Sequence, residues 1–335
     1  MERLDRARFE TLRAAYDDAV AADPAIDGFC SRSAWILSFH DAFRPGAELV
    51  LAREAGAFVA LATVPTSDRG PTSRGGPALG PVLEPLEPMW GFASPLVGAA
   101  SPELLRALLD ADAAVRGRLP LLLSGVPLER GRLEPLLRAL APRYALRPLA
   151  ETVRYQASLA GGVDGWLGRR SARFRRGLRS ARRRTREAGV VFASAAPTQA
   201  AEVQALYARA LAVERDTWKT RSGNGVERGP MRAFYGAMLP QLAQRSALRV
   251  LFAIRDGADA GYLYGGVASG AFRGLQFSFR ESERALGLGN ALQAEMIERL
   301  CAEGVSSYDL GSQSDYKRHW AEPGLTTLRL LGLPR

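Results

Sequence analysis

The stretch SFRESERALGLGNALQAEMIERLCAEG covers residues 278–304 near the C-terminal end of the chain. Within it, Arg284, Gly287 and Gly289 form an Arg-x-x-Gly-x-Gly pattern between a predicted strand and an apolar-periodic helix. Glycines allow close approach to the backbone, and the first amides of a helix attract anions. The pattern arises by chance about 0.4 times in a chain of this composition. A phosphate-binding loop and an ordinary strand-to-helix turn are therefore both open.

The segments around this stretch indicate its place in the fold. Three consecutive strand patterns joined by short turns precede it, and the strand pattern VSSYDLG follows its helix. Two further helices precede the three strands, and the first half of the chain also alternates helices with apolar strands. No phosphate loop is present in that first half. The order predicts an α/β protein with mixed sheets and two domains, residues 1–150 and 151–335.

Composition limits the class of protein. The chain has 335 residues, of which 47% are hydrophobic, enough for two cores of medium size. The charged N-terminus and the lack of a long uncharged apolar run predict a soluble, cytoplasmic protein without a transmembrane segment. Cys30 and Cys301 are far apart and lack metal-ligand spacing, so neither a disulfide framework nor a metal site is predicted.

The basic charge is concentrated in one segment. Ten arginines lie between Arg169 and Arg186, and their number equals the formal net charge of +10. An apolar stripe predicts one long amphipathic helix over residues 164–187. The stripe consists of Trp166, Phe174, Leu178 and Ala181. The alternatives for its basic face are simple solvation, an acidic acyl carrier protein, the phosphates of a nucleotide donor, a tRNA and an anionic membrane surface.

Four segments together resemble a known family. They are SARFRRGLRSARRRTREAG, ERDTWKTRSGNG, the glycine pattern and YDLGSQSDYKRHW. In combination they are similar to the double-domain GNAT-like N-acyltransferases, a group that includes acetyltransferases associated with cellulose biosynthesis and is related to the Fem peptidoglycan aminoacyltransferases. The resemblance implies two tandem GNAT-like domains, with the acyl-donor site in the second domain and none in the first.

The resemblance also implies how the donor would bind. The strand around Gln276 to Phe279 would splay from the strand at 306–309, so that a thioester lies in the cleft with its carbonyl on a backbone N–H. The pyrophosphate of acyl-CoA, a co-substrate, would lie on the glycine loop. The residues implied in cofactor binding are Arg284, Gly287, Leu288, Gly289, Asn290 and Phe279.

Attack of an amine on a thioester needs a deprotonated amine, a stabilised oxyanion and a protonated leaving thiolate. Neither a Ser-His-Asp order nor a Cys-His pair is convincing, which favours direct transfer. Asp309 is the candidate base or amine-orienting group, or else a cap or turn residue. Tyr316 is the candidate acid for the thiolate, or a packing residue. Lys317 would contact donor phosphate or the oxyanion, or lie solvated on the surface.

A second group of residues is a candidate for acceptor binding. Glu214, Trp218 and Lys219 come at the end of a predicted helix before a glycine-rich loop. The alternative is a core tryptophan beside a surface glutamate. His319, close to Lys317, is expected to face elsewhere.

The predicted function is that of an N-acyltransferase that moves an acyl group from a CoA or carrier-protein thioester to a small-molecule or peptide amine, without a metal. The alternative is a Fem-like aminoacyltransferase that takes its donor ester from tRNA held by the basic helix. A protein that only binds nucleic acid is a third and weaker interpretation, because interleaved aromatic residues and RNA-binding motifs are missing.

Overall fold

The computed structural model describes residues 1–65, 80–217 and 225–335. They form two compact units: unit 1 comprises residues 1–153 and 325–335, and unit 2 comprises residues 154–324. The last residues, which the sequence analysis placed in the second domain, belong to unit 1 because their strand pairs there. Within the described residues, no helix is both long and apolar enough to cross a bilayer.

Helices and strands alternate along both units. The helices are α1 (Arg6–Thr11), α2 (Arg13–Ala22), α3 (Ser33–Phe43), α4 (Ser101–Arg116), α5 (Arg130–Leu140), α6 (Gly162–Gly168), α7 (Ala172–Glu187), α8 (Ala200–Glu214), α9 (Gly229–Gln244) and α10 (Leu288–Ala302). The strands are β1 (Glu2–Leu4), β2 (Glu48–Glu54), β3 (Ala57–Val64), β4 (Val82–Pro85), β5 (Leu96–Val97), β6 (Leu121–Pro127), β7 (Tyr144–Ser158), β8 (Val191–Ala195), β9 (Leu248–Arg255), β10 (Ala258–Ala268), β11 (Ala271–Phe279), β12 (Ser307–Ser312) and β13 (Glu322–Pro334). Short 3₁₀ helices cover Glu281–Leu286 and Lys317–His319.

Unit 1 is built on a mixed sheet. Its strands follow the order β1-β2-β3-β4-β6, and the C-terminal part of β13 pairs antiparallel with β6. The connection from β4 to β6 is parallel and passes through α4. Leucines at 104, 105, 108 and 109 of α4 recur at helical spacing and are buried in the core over the sheet.

Unit 2 is built on a second mixed sheet with the strand order β7-β12-β11-β10-β9-β8. β8 to β11 are antiparallel neighbours, whereas β11 and β12 are parallel and joined through α10. Alternate residues of β10 face opposite sides. Leu263 packs in the core with Leu292 of α10, while Tyr262 contacts Glu214 of α8 on the other side. The sheet therefore has α10 on one face and α8 on the other.

The predicted single basic helix is wrong, because the structure contains two helices. α6 ends at Gly168, and Ser171 begins α7 as its N-cap: the backbone of Ser171 is extended, and its Oγ accepts a hydrogen bond from the Phe174 amide at 3.2 Å. Arg170, between the helices, is buried and paired with Glu322. The predicted apolar stripe does face the core, with Leu178 and Ala181 buried.

Candidate functional site

The centre of unit 2 is a gap between two parallel strands. β11 and β12 pair at three positions, the last of which joins Arg273 to Asp309, and the two strands separate beyond it. A cavity of about 300 Å³ lies in the gap. β11 also has a bulge against β10 at Leu275, because Gly274 and Gln276 oppose consecutive residues of β10. The edge of β11 that faces the gap thus has no strand partner beyond Arg273 within the part of the chain that the structure describes.

A buried ion cluster lies where the strands begin to separate. Arg273 Nη1 donates to Asp309 Oδ1 at 2.7 Å, and Arg154 of β7 pairs with Oδ2 of the same carboxylate. The Gly311 amide donates to Asp309 Oδ1 at 2.7 Å. Gly311 has a φ of +85°, and a Cβ there would lie 2.8 Å from the guanidinium of Arg273, so both geometry and space require glycine.

The partners of Asp309 bear on its predicted role. Both of its carboxylate oxygens are held by guanidinium groups, and its side chain does not line the cavity. A carboxylate fixed in this way orients the three strands around it. Its assignment as the base stays a prediction and is not carried into the function proposed below.

A chain of hydrogen bonds forms one wall of the cavity. Tyr308 Oη donates to Gln293 Oε1 at 2.6 Å, and Gln293 Nε2 donates to Tyr316 Oη at 3.3 Å. Because Gln293 donates to Tyr316, the hydroxyl hydrogen of Tyr316 is left to turn towards the cavity. Tyr316 is 39% exposed, but its hydroxyl lies within the cavity wall, and the loss of hydration there raises the pKa of Tyr316 to about 12, so the group stays protonated in neutral solution.

Gln293 and Tyr308 were not among the residues predicted from the sequence. Gln293 is 2% exposed and lies among the buried residues of α10, such as Leu292 and Met296. A polar residue on the apolar face of the helix was the available signal. Gly274 is related to the same wall, because a Cβ there would lie 2.7 Å from the ring of Tyr308.

The two other residues of this segment face different spaces. Lys317 lines the cavity, and its Nζ donates to the Ser312 carbonyl at 2.8 Å. His319 is not among the residues that line that cavity, and it lines a second one. The oxyanion or phosphate role of Lys317 stays a prediction.

The glycine pattern is explained first by packing. Gly287 has a φ of +72° and precedes α10, and a Cβ there would lie 3.0 Å from Ala181 of α7. A Cβ on Gly289 would lie 2.8 Å from the ring of Phe279, which lines the cavity. The Arg284 guanidinium pairs with Glu281 at 2.6 Å.

The predicted pyrophosphate residues therefore lie in different surroundings. Leu288 is a core residue, and Asn290 lines the second cavity with His319. The pyrophosphate role of Arg284, Gly287, Leu288, Gly289 and Asn290 stays a prediction.

Of the predicted acceptor residues, the structure describes only Glu214, since Trp218 and Lys219 lie outside the described ranges. Glu214 is fully buried, and its Oε2 accepts a hydrogen bond from Tyr262 Oη at 2.9 Å. The alternative of a surface glutamate is therefore wrong.

Tyrosines surround Glu214 on this face of the sheet. The ring centroid of Tyr264 lies 5.5 Å from that of Tyr262 and 5.6 Å from that of Tyr235. Burial raises the pKa of Tyr262 and Tyr264 well above the usual range. Gln276 Nε2 donates to Tyr235 Oη at 3.1 Å, which connects the cavity wall to these tyrosines. Within the described residues, no group of His, Cys, Asp and Glu side chains could hold a metal ion.

Comparisons with known proteins agree with this architecture. FemX shares 12% sequence identity with the chain and has a TM-score of 0.62, covering 98% of this chain and 97% of FemX. L-PGS from Bacillus licheniformis shares 15% identity with a TM-score of 0.60, covering 99% of this chain and 92% of that one. The C-terminal domain of a putative lysylphosphatidylglycerol synthetase from Agrobacterium fabrum shares 14% identity, with a TM-score of 0.56 and coverage of 96% and 92%. Among curated proteins, no sequence matches this chain.

These likenesses concern the fold, and a family model adds the type of domain. Residues 172–318 match the acetyltransferase (GNAT) domain, a range that spans α7, the separated strands and the segment with Tyr316. The predicted fold class, α/β with mixed sheets, is confirmed, and the GNAT model matches the second of the two predicted domains. Residues 172–318 of this chain are therefore similar to acetyltransferase domains of the GNAT type.

Proposed function

We propose that unit 2 transfers an acyl group from a thioester, carried by CoA or a carrier protein, to an amine in the cleft between β11 and β12. The observation that carries the proposal is the cleft itself. There the edge of β11 beyond Arg273, which has no strand partner among the described residues, faces the hydroxyl of Tyr316, and the cavity between them measures about 300 Å³. One side offers backbone amides to a carbonyl oxygen, and the other offers a proton donor. The narrower likeness to acetyltransferases associated with cellulose biosynthesis and a cytoplasmic location are part of this proposal.

The chemistry follows from these two sides. The amine nitrogen attacks the acyl carbon, and the carbonyl electron pair moves to oxygen, where an amide of the β11 bulge donates to the oxyanion. The oxyanion then collapses, the C–S bond breaks, and the leaving sulfur receives the proton of Tyr316 Oη. The nitrogen releases one proton to solvent, and solvent returns one to Tyr316. A C–N bond replaces the C–S bond, and no covalent enzyme intermediate is formed.

The Fem-like alternative, in which the donor is an aminoacyl ester of tRNA, would use the same hydroxyl. The pKa of Tyr316, about 12, is well above that of a thiol, which is about 8.5. A thiolate therefore gains little from such an acid, whereas the more basic alkoxide that leaves an ester needs one. The hydroxyl of Tyr316 suits an ester donor better than a thioester.

Binding and transfer measurements on the full chain test both candidates. We expect one donor class among acyl-CoA, acylated carrier protein and aminoacyl-tRNA to raise the melting temperature, because a ligand of the native state stabilises it, and to give an acylated amine in a panel of acceptors. Leu275→Trp, at the half-buried bulge that lines the cleft, should remove the stabilisation.

Leu149→Trp is the matched control, because Leu149 is 52% exposed and belongs to unit 1. This variant should behave like the wild type. If no donor of any class binds, or if Leu275→Trp binds its donor normally, the cleft is not the donor site.

A further inference from the structure

Unit 2 contains a second cavity, which the function above does not use. It measures about 390 Å³ and lies between the N-terminal half of α7 and the first turn of α10. Arg173 and Asn290 contribute polar groups from the two helices, and His319 contributes an imidazole from the 3₁₀ segment. Guanidinium, amide and imidazole groups are all hydrogen-bond donors to phosphate oxygens.

Gly177 is an unusual residue in the wall of this cavity. It lies in the interior of α7, where glycine costs about 1 kcal/mol relative to alanine. Other glycines of unit 2, such as Gly287 and Gly289, have neighbours that a Cβ would strike. At Gly177 nothing lies within 4 Å of an added Cβ, and its φ is not positive. Packing within the described residues does not require glycine here, so the space beside it is available to a ligand.

The charge beside the cavity is uncompensated. Arg182 pairs with Glu298, and Arg184 donates to the Leu286 carbonyl, so these two arginines hold α7 against its neighbours. Arg173 and Arg176 are exposed and form no ion pair within residues 1–65, 80–217 and 225–335. The potential at the cavity is therefore positive and selects an anion.

The cleft and the cavity between α7 and α10 are lined by residues close to one another in the chain. Gln293 and Lys317 line the cleft, while Asn290 and His319, three and two residues away on the same elements, line the second cavity. A donor with its reactive end beside Tyr316 would reach the second cavity by passing the Lys317–His319 segment. Arg284, the predicted phosphate ligand, is instead paired with Glu281.

We propose that the cavity between α7 and α10 binds the phosphorylated nucleotide end of the acyl donor, in place of Arg284. The inference rests on the function proposed above. CoA and the 3′ end of tRNA both carry nucleotide phosphates, and the choice of probe separates them. The probes are 3′,5′-ADP, a tRNA acceptor-stem minihelix, and pantetheine, which lacks the nucleotide.

Calorimetric titration of the full chain tests this proposal. Arg173→Gln should weaken binding of 3′,5′-ADP or of the minihelix by about tenfold or more, since a charge-assisted contact to phosphate is lost. Gly177→Leu should abolish that binding by filling the cavity, and its melting temperature should not fall, because leucine favours a helix. Binding of pantetheine should not change in either variant.

Arg186→Gln is the matched control, with the same charge change at an exposed position of the same helix that does not line the cavity. It should have little effect on nucleotide affinity. The proposal is overturned if neither nucleotide probe binds the wild type, if Gly177→Leu binds as the wild type does, or if Arg284→Gln loses binding while Arg173→Gln keeps it. A failure of the proposed function has a different signature, namely nucleotide binding without acyl transfer from any donor.

Discussion

Both units contain a strand-helix-strand motif with two parallel strands. The gap between those two strands is filled in one unit and open in the other. In unit 1, β4, α4 and β6 form a parallel pair that meets only at Leu83 and Leu121. The chain that leaves β4 lies against β6: the Ala93 carbonyl fills the position that a Cβ on Gly125 would occupy. In unit 2, β11, α10 and β12 surround an open cavity. The same topology thus gives a filled gap in one unit and a cleft in the other.

The groups at the start of each gap differ in the same way. The unit 1 strands meet at two leucines, whereas those of unit 2 meet at Arg273 and Asp309, with Arg154 on the same carboxylate. In unit 1 the packing of the inserted segment against β6 stabilises the gap. In unit 2 that packing is missing among the described residues, and the gap depends on the ion cluster where β11 and β12 meet. The location of the donor site in the second domain stays a prediction.

The largest effect should come from disturbing the filled gap. Gly125→Val places a branched side chain on the Ala93 carbonyl at a φ of +72°, and the free energy of unfolding should fall by about 4–5 kcal/mol. Gly117→Val is the control, because Gly117 has a φ of +78° but nothing within 4 Å of a Cβ, and it should lose only the cost of the backbone strain, about 1–3 kcal/mol. Equal losses in denaturant unfolding would show that the gap of unit 1 is not held by this contact.

The next effect concerns the ion cluster of the open gap. Asp309→Asn leaves two buried guanidinium groups without their carboxylate and should lower the free energy of unfolding by about 3–4 kcal/mol. Asp259→Asn removes a carboxylate from a more exposed pair with Arg209 and should cost about 1 kcal/mol or less. If both variants unfold at the same denaturant concentration, the open gap does not depend on the cluster where its strands meet.

A third prediction concerns the segment that fills the gap of unit 1. The Glu87 carboxylate is fully buried and accepts hydrogen bonds from the Trp90 and Phe92 amides at 2.6 and 3.2 Å. Burial raises the pKa of Glu87 to about 7, although these amides lower it. Between about pH 4.5 and 7 the unfolded chain therefore loses the proton while the folded chain keeps it.

Stability should fall by up to about 3 kcal/mol as the pH rises through that window, and then level off. Glu87→Gln should remove this fall, because an amide does not ionise, and Glu54→Gln, at an exposed position, should retain it. Unfolding curves at several pH values provide the measurement. An unchanged pH dependence in Glu87→Gln would mean that another group causes it.

Sequence patterns predicted the order of elements around both gaps, because periodicity and glycines are local signals. They did not predict which residues meet there. Arg154 and Asp309 are far apart in the chain, and their meeting depends on β7 pairing with β12. The break at Ser171 was locally visible, since a serine after Gly168 is a typical N-cap signal.

The partners of Tyr316 illustrate the same limit. Tyr316 was predicted from its place in the YDLGSQSDYKRHW segment, but Gln293, on a helix, becomes important only because Tyr308 and Tyr316 reach it from one side. The sequence did not predict that the segment after β4 fills the gap of unit 1. This segment is extended and rich in proline and aromatic residues, so it has no periodic pattern that indicates where it packs.

The smallest effect tests whether the open gap is catalytic and which donor it takes. Tyr316→Phe removes the proton donor but keeps the ring near Phe277, so donor affinity should hold. With an ester donor, kcat should fall about a hundredfold, and with a thioester by about tenfold or less, since the thiolate needs less help from an acid. Because the pKa of Tyr316 is about 12, the wild-type rate should show no titration of this group between about pH 6 and 9.

Tyr144→Phe, which removes a hydroxyl bonded to the Leu119 carbonyl in unit 1, is the control for loss of a tyrosine hydroxyl. Wild-type turnover by Tyr316→Phe with every donor would leave the cleft as a binding site whose acid lies elsewhere, and the contrast between a filled and a reactive gap would no longer hold.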